Sequence, residues 1–167
     1  MVDIRRASVK DIEGISRVCC EGCLDTYEGI RNIQNIKRNN QRFYNYERIS
    51  TELDEADGWD GYIVAVDGTD VVGAIGGGMI EDDKSEVFVL YLDPDRRGEG
   101  IGTKLLNFLT DIQRDKGAEE QWVSVQKGNR KGIPFYEKRG FKKVAEKLAY
   151  SNTEEENYIS LRYSRKI

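Results

Sequence analysis

Apolar positions along this chain change period several times, and each change marks an element. Val2 to Arg6 reads as a short strand. Ser8 then caps a helix, with Asp11 three residues on as its capping-box partner. Ile12, Ile15 and Cys19 recur at helical spacing with Val18 beside them. From Asp25 to Trp59 the pattern is broken: Ile30, Ile33, Ile36 and Ile49 stand among Asn, Gln, Arg and Tyr, predicting one or two helices and then the acidic loop ELDEADGWDG. Tyr62 to Val66 predicts a strand, Asp67-Gly68 a hairpin turn, and Val71 to Met79 its partner. Glu86 to Leu92, EVFVLYL, is almost continuously apolar, as in a central strand covered on both faces. Alternation along it places Glu86, Phe88 and Leu90 on one face. Gly76-Gly77-Gly78, inside or at the end of a strand with no basic neighbour, reads as a bulge or a close backbone approach.

After Asp93-Pro94 comes a basic, glycine-rich turn, then an amphipathic helix with Ile101, Leu105, Phe108, Leu109 and Ile112 on one face, closed by Lys116-Gly117. Gln121 to Val125 predicts a strand, and a helix follows to Arg139, where Gly140 stops it. Phe141 to Lys147 and Asn157 to Tyr163 finish as strands, the last alternating Tyr158, Ser160 and Arg162 against Ile159, Leu161 and Tyr163. The expectation is a mixed α/β domain of about seven strands and about four helices. With 167 residues and no linker or repeat, residues 1–167 are expected to form one domain.

Charged residues make up 34% of the chain, and no apolar run approaches the roughly 18 residues of a membrane span. The start, MVDIRRASVKD, has no signal-peptide stretch, so no membrane partner and a cytoplasmic location are expected. A net charge of −4 argues against nucleic acid as a partner and is compatible with a cationic substrate. The chain has no histidine, which removes Ser-His-Asp and Cys-His catalysis and the usual zinc sites; acid–base work falls to Glu, Asp, Tyr, Lys or Cys, and no metal is expected. Cys19, Cys20 and Cys23 read as free thiols on one helix, with a redox-sensitive pair as the alternative.

The stretch Asp95-Arg-Arg-Gly-Glu-Gly-Ile-Gly-Thr103, between an apolar strand and a helix, is where a chain binds phosphate: glycines turn backbone N–H groups into one concavity, the helix adds unpaired donors, and Arg96 and Arg97 add counter-charge. A Walker loop fails, because Thr103 follows Gly98 by five residues where Gly-Lys-Ser/Thr is needed. The dinucleotide fingerprint fails in both frames, at Thr103 and at Leu105. What fits is the acetyl-CoA loop pattern Arg/Gln-x-x-Gly-x-Gly/Ala, here Arg97-Gly98-Glu99-Gly100-Ile101-Gly102. In this stretch the chain resembles the GNAT superfamily of acyl-CoA-dependent N-acetyltransferases. Leu90-Tyr91-Leu92-Asp93-Pro94 is similar to that family's fourth strand and its exit. Asn129, Gly132, Phe135, Tyr136, Gly140 and Phe141 reproduce a second block of its spacing.

The resemblance implies a central mixed sheet whose fourth and fifth strands splay apart around the pantetheine arm of acetyl-CoA, the acyl-donor substrate. Backbone groups of Leu90, Tyr91 and Leu92 would bond its amides. Arg97, Gly98, Glu99, Gly100, Ile101, Gly102 and Thr103 would hold the pyrophosphate. Asn129 would bond the pantetheine or cap the next helix, and Pro134 suits that helix's first turn. Tyr136 would protonate the departing thiolate; its alternative is a core aromatic beside Phe135. Glu86 would take the amine's proton, or is simply a strand-end charge. Some peptide-acting relatives carry Glu five residues before the motif asparagine, and this chain has Ser124 there.

The same resemblance places the amine acceptor between Asp25–Trp59 and the Tyr150–Asn157 connection. Tyr27, Phe43, Tyr44, Tyr46 and Trp59 could wall an aromatic pocket for a cation, with attraction from Asp54, Glu55, Asp57, Asp60 and Glu154 to Glu156; a solvated loop has the same composition. The function expected is acetyl transfer to a primary amine of a small molecule or peptide, with a non-catalytic acyl-CoA sensor as the alternative and a homodimer left open.

Overall fold

The computed structural model describes residues 1–150 and 152–167. Its elements are β1 (Val2–Arg6), α1 (Ile12–Tyr27), α2 (Ile33–Phe43), α3 (Tyr46–Thr51), β2 (Ile63–Asp67), β3 (Asp70–Glu81), β4 (Lys84–Leu92), α4 (Ile101–Asp115), β5 (Glu120–Gln126), α5 (Gly132–Lys138), β6 (Lys142–Leu148) and β7 (Ile159–Lys166). The mixed α/β expectation holds. The additional short helix, α3, starts because Asn45 caps it, its side chain accepting the Arg48 N–H. The predicted capping box at Ser8 and Asp11 closes on a single 3₁₀ turn that leads into α1.

The strands form one seven-stranded sheet in the order β1-β2-β3-β4-β5-β7-β6. All neighbours are antiparallel except β4 and β5. One face packs on α4 and α5: Ile63, Ala65, Ile75, Val87, Val123 and Leu161 meet Ile101, Leu105, Leu109 and Phe141. The other face packs on α1 and α3, where Val64, Val66 and Ala74 meet Ile12, Ile15, Cys19 and Ile49. Among the described residues no helix is long and apolar enough to cross a membrane.

The parallel pair β4–β5 is short. It runs from Lys84 opposite Glu120 to Val87 opposite Val123, and beyond that β4 has no ladder partner on this side. The divergence begins at a bulge. On β3, Gly76 faces Val89 and Gly77 faces Val87, so Phe88 is an extra residue on β4. A bulge bends its strand and shifts the alternation by one. The sequence expectation that Glu86, Phe88 and Leu90 share a face is therefore corrected: Leu90 and Leu92 join Val87 on the α4 side, whereas Val89 and Tyr91 turn to the α1 side. β4 is central, as expected, but Phe88 is exposed and Leu90 to Leu92 are only half-buried, because the strand borders a cleft.

Gly76 to Gly78 form the close approach their sequence suggests. A Cβ at Gly76 would enter the Trp59 ring, one at Gly77 the Glu86 carbonyl, and one at Gly78 the Gly58 carbonyl. A buried polar cluster pins the same place. Asp60, 1% exposed, bonds Lys116 Nζ at 2.6 Å and Gln113 Nε2 at 3.1 Å. Its N–H donates to the Gly77 carbonyl at 2.7 Å, and Gln113 Nε2 also donates to the Glu86 carbonyl at 3.1 Å. Backbone carbonyls on both sides of the bulge are thus held by the Asp60 N–H and the Gln113 amide, which the Asp60 carboxylate in turn fixes.

Because the atom opposing Gly78 is backbone and cannot swing away, Gly78→Ala should destabilise the fold by at least about 2 kcal/mol. Gly68, in the β2–β3 turn, has open space around a Cβ and a positive φ of 65°, so Gly68→Ala should cost only about 1 kcal/mol. Urea titration of the two variants checks the order.

Candidate active site

Where β4 and β5 part, they enclose a cleft of about 140 Å³. Leu90, Tyr91 and Leu92 form one wall; Arg97, Gly102, Asn129, Phe135 and Tyr136 also line it. The glycine-rich turn meets the cleft at Arg97 and Gly102. Gly98 and Gly100 have φ of 83° and 81°, the left-handed region that a side chain resists, and Gly100 is the N-cap of α4. No side chain caps this helix, so its first N–H groups remain available to an anion.

Arg97 reaches the cleft from this turn. Its guanidinium pairs with Asp25 at 3.2 Å and lies 3.5 Å from Thr26 Oγ1, while its buried Nε has no hydrogen-bond partner. Lys131 Nζ meets the same Asp25 oxygen at 2.8 Å. The Lys131 ammonium, with Arg97 behind it, holds the Asp25 carboxyl below its usual range. Two cations share one carboxylate at the mouth.

The other loop side chains have separate duties. Arg96 does not face the cleft, contrary to the expectation that both arginines supply counter-charge: it grips Glu99 through two bonds of 2.8 and 2.9 Å and Asp67 at 3.0 Å. Glu99 therefore points at Arg96. Ile101 is buried in the core. A Cβ on Gly102 would meet the Phe135 ring at 3.0 Å, so this glycine lets α4 and α5 close together. Thr103 Oγ1 accepts from the Arg139 guanidinium, which lies over the Phe135 ring. Asn129 Oδ1 accepts the Gly132 N–H at 2.8 Å and the Lys131 N–H at 3.2 Å, capping α5 while facing the cleft.

Tyr136 sits at the closed end, 8% exposed, with its ring edge-on to Phe135 and Phe141. Burial, then the neighbouring Tyr27 phenol, pushes its hydroxyl well up from 10, so it holds its proton. Glu86 is paired through both oxygens with Arg162, at 2.7 and 3.0 Å, and the same guanidinium donates to Ser124 Oγ at 2.9 Å. Sequence reasoning missed Arg162, although the polar alternation of the last strand marked its face. It also missed Asp25 and Lys131, whose 106-residue separation leaves no local signal.

A second, larger cavity of about 520 Å³ lies between α2, α3 and the α1 face of the sheet. Tyr27, Val87, Phe88, Val89, Tyr91, Ser124 and Gln126 border both cavities. Tyr27 and Tyr91 hydroxyls lie 3.1 Å apart at this border. Of the five aromatics singled out, Tyr27, Phe43, Tyr44 and Trp59 line the larger cavity, while Tyr46 is exposed elsewhere. The acidic residues singled out are not in its wall. Asp60 is in the core, Glu55 pairs with Arg6 at 2.6 Å, and Glu156 pairs with Arg38 at 2.7 Å. Asp54, Asp57, Glu154 and Glu155 are exposed. Within the Tyr150–Asn157 connection, Ser151 lies outside the described residues, and Tyr150 borders the cavity. Cys19 and Cys23 are buried free thiols; burial pushes Cys23 up to about 12 and Cys19 well above its ordinary value. Among the described residues no three Cys, Asp or Glu side chains converge as metal ligands would.

An apolar slot between unpaired strand edges, a turn of backbone donors and an arginine with an unsatisfied buried Nε fit an acyl pantetheine and its pyrophosphate. The comparisons agree. The model of the acetyltransferase (GNAT) family matches residues 27–141. A spermidine N(1)-acetyltransferase of Thermoplasma acidophilum is 29% identical over 143 residues, covering 84% of this chain and 88% of the relative. A ribosomal protein bS18 alanine N-acetyltransferase of Escherichia coli is 31% identical over 71 residues, 42% of this chain and 48% of the relative. The crystal structure of the PaiA N-acetyltransferase of Thermoplasma acidophilum in complex with coenzyme A superimposes with a TM-score of 0.84 at 26% identity, covering 100% of this chain and 99% of that one.

Arg97→Ala should weaken coenzyme A binding by about tenfold or more, the worth of one charge-assisted contact. Gly100→Val, which obstructs the turn and strains a positive φ, should cost at least as much. Calorimetry on variants that keep the parent thermal midpoint reads both. Burial alone would raise the Glu156 carboxyl, but the Thr153 N–H, Arg38 and Asn35 outweigh it and bring it down to about 2. That stabilisation is present above the unfolded value near 4.3 and is lost as pH falls toward about 2. Acid titration of Glu156→Gln should show a shallower loss of stability below pH about 4.5 than the parent.

Proposed function

The chain belongs to the acetyltransferase (GNAT) family and transfers an acetyl group from acetyl-CoA to an amine; from that premise we propose that the transfer is direct, in a ternary complex, with Tyr136 as the acid and Glu86 as the base. The observation that carries this reading is the shared wall of the two cavities at Phe88, Val89 and Ser124. A thioester held in the cleft would lie beside an amine held in the larger cavity. A non-catalytic sensor is not favoured, since the matched relatives are named as acetyltransferases.

Leu90 to Leu92 offer the unpaired backbone edge along which the pantetheine amides would bond. Arg97 and the uncapped N-terminus of α4 would receive the pyrophosphate. Tyr136, kept protonated by burial, would give its proton to the leaving thiolate. An alkylamine with a pKa near 10.4 is protonated by a factor of roughly 10³ at neutral pH, which costs about 4–5 kcal/mol before attack. Glu86 lines the larger cavity, and Arg162 fixes its orientation while using two of its roughly four lone-pair sites, so the carboxylate can still accept that proton directly or through water. The cysteines take no part: Cys19 and Cys23 are buried and held in the thiol form. Three free thiols suit a reducing compartment, and the cytoplasm is the location proposed.

Tyr136→Phe should retain the fold and the Kd for acetyl-CoA while kcat falls roughly 10²–10⁴-fold; a fully active variant would make solvent the acid. Glu86→Gln should lose activity mainly at low pH, its deficit shrinking by up to about tenfold per pH unit as the amine deprotonates unaided; a pH-independent deficit would reassign Glu86 to binding. Replacing all three cysteines by Ser or Ala should leave kcat within about tenfold. An acetylated cysteine trapped by mass spectrometry would contradict direct transfer.

A further inference from the structure

We propose, resting on the acetyl-transfer reading above, that the larger cavity selects amines bearing a distal anion, such as a carboxylate, and discriminates against amines with a second ammonium group. The chain as a whole carries a net charge of −4, yet among the described residues three cations, Arg31, Arg48 and Lys147, and two carboxylates, Glu52 and Glu86, line this cavity, a surplus of one positive charge. Both of those carboxylates are engaged by arginine: Glu86 by Arg162, and Glu52 by Arg48 at 3.1 Å. The helix forming one wall, α2, carries Lys37, Arg38 and Arg42 and no acidic residue, with Arg38 paired to Glu156 at 2.7 Å.

Two of the aromatic rings in this wall, Phe43 and Tyr27, are covered by the protein's own cations. Arg42 and Arg48 lie over Phe43, at 5.0 and 5.1 Å from the ring centre, and Arg31 lies over Tyr27 at 4.7 Å. Trp59 is spent on its neighbours, edge-on to Tyr62 and stacked on Phe88. At the outer rim the exposed Tyr150 phenol feels the charges of Arg42, Arg48 and Arg31, opposed by that of Glu52. A second ammonium entering this space meets like charge at reduced dielectric, and a carboxylate meets attraction. The same field disfavours the protonated form of the acceptor amine and so assists the deprotonation that attack requires.

The test compares acceptors of one length and three end groups, ε-aminocaproate, hexylamine and hexamethylenediamine, with spermidine alongside, by thiol release from acetyl-CoA. The expected order of kcat/KM is anion, then neutral, then cation, with at least about tenfold between first and last at low salt and a narrower gap at high salt. Lys147→Glu should narrow that gap. A preference for hexamethylenediamine or spermidine over ε-aminocaproate overturns the proposal. Calorimetry of the same acceptors into the protein–coenzyme A complex reads selection without turnover. Selective binding of ε-aminocaproate with no acetylation of any acceptor would refute the transfer reading and support the charge selection; equal binding of all three would overturn the selection whatever the activity.

Discussion

Beyond Val87 and Val123 the two parallel strands separate, and backbone groups that would ordinarily pair across them are left facing a cleft. Unpaired peptide groups away from bulk water are costly, so such an opening persists only when something holds it. Here the extra residue Phe88 turns β4 outward, and three glycines on β3 let the neighbouring backbone and the Trp59 ring come close enough to accept that turn. Asp60 and Gln113 tie down the carbonyls on either side. The core beneath α4 therefore contains a buried carboxylate, met by a partly exposed lysine, and a chain of amides where a simple sheet would place aliphatic side chains. A ligand with its own amides can complete the interrupted ladder, which makes the opening a site as well as a defect.

The chemistry follows from which side chains the opening exposes. On the α4 and α5 side it uncovers Tyr136 at the base of the apolar slot, where burial preserves the proton. On the α1 side it joins the slot to the aromatic cavity, whose wall includes Glu86, held by an arginine from β7. The proposed acid and base thus stand on opposite faces of one sheet.

Much of this was legible in the sequence. The strands follow from apolar periodicity, and the acyl-CoA loop follows from glycines and Arg97 at a fixed spacing between strand and helix. The bulge could not be read from β4, because EVFVLYL contains no glycine or proline; its mark lay on the partner strand, in Gly76 to Gly78. Composition also misled about charge. The acidic loop suggested an anionic acceptor site, but Asp60 was needed to neutralise Lys116, and Glu55 and Glu156 were needed by Arg6 and Arg38. Which partner a charge takes is decided by tertiary packing, and pairs such as Arg162 with Glu86, 76 residues apart, have no local signature.

The shared carboxylate of Asp25 has a bearing on the end of the catalytic cycle. Arg97 and Lys131 are not bare cations waiting for phosphate; each already has a partner. Capture of a pyrophosphate at this mouth would be an exchange of one anion for another, its net gain the difference between two ion pairs rather than the whole of one. The displaced carboxylate would stay tethered at the mouth as an intramolecular competitor. It would lower the affinity that two cations could otherwise reach and return to them as the spent coenzyme departs, giving the protein its own means of keeping product from lingering.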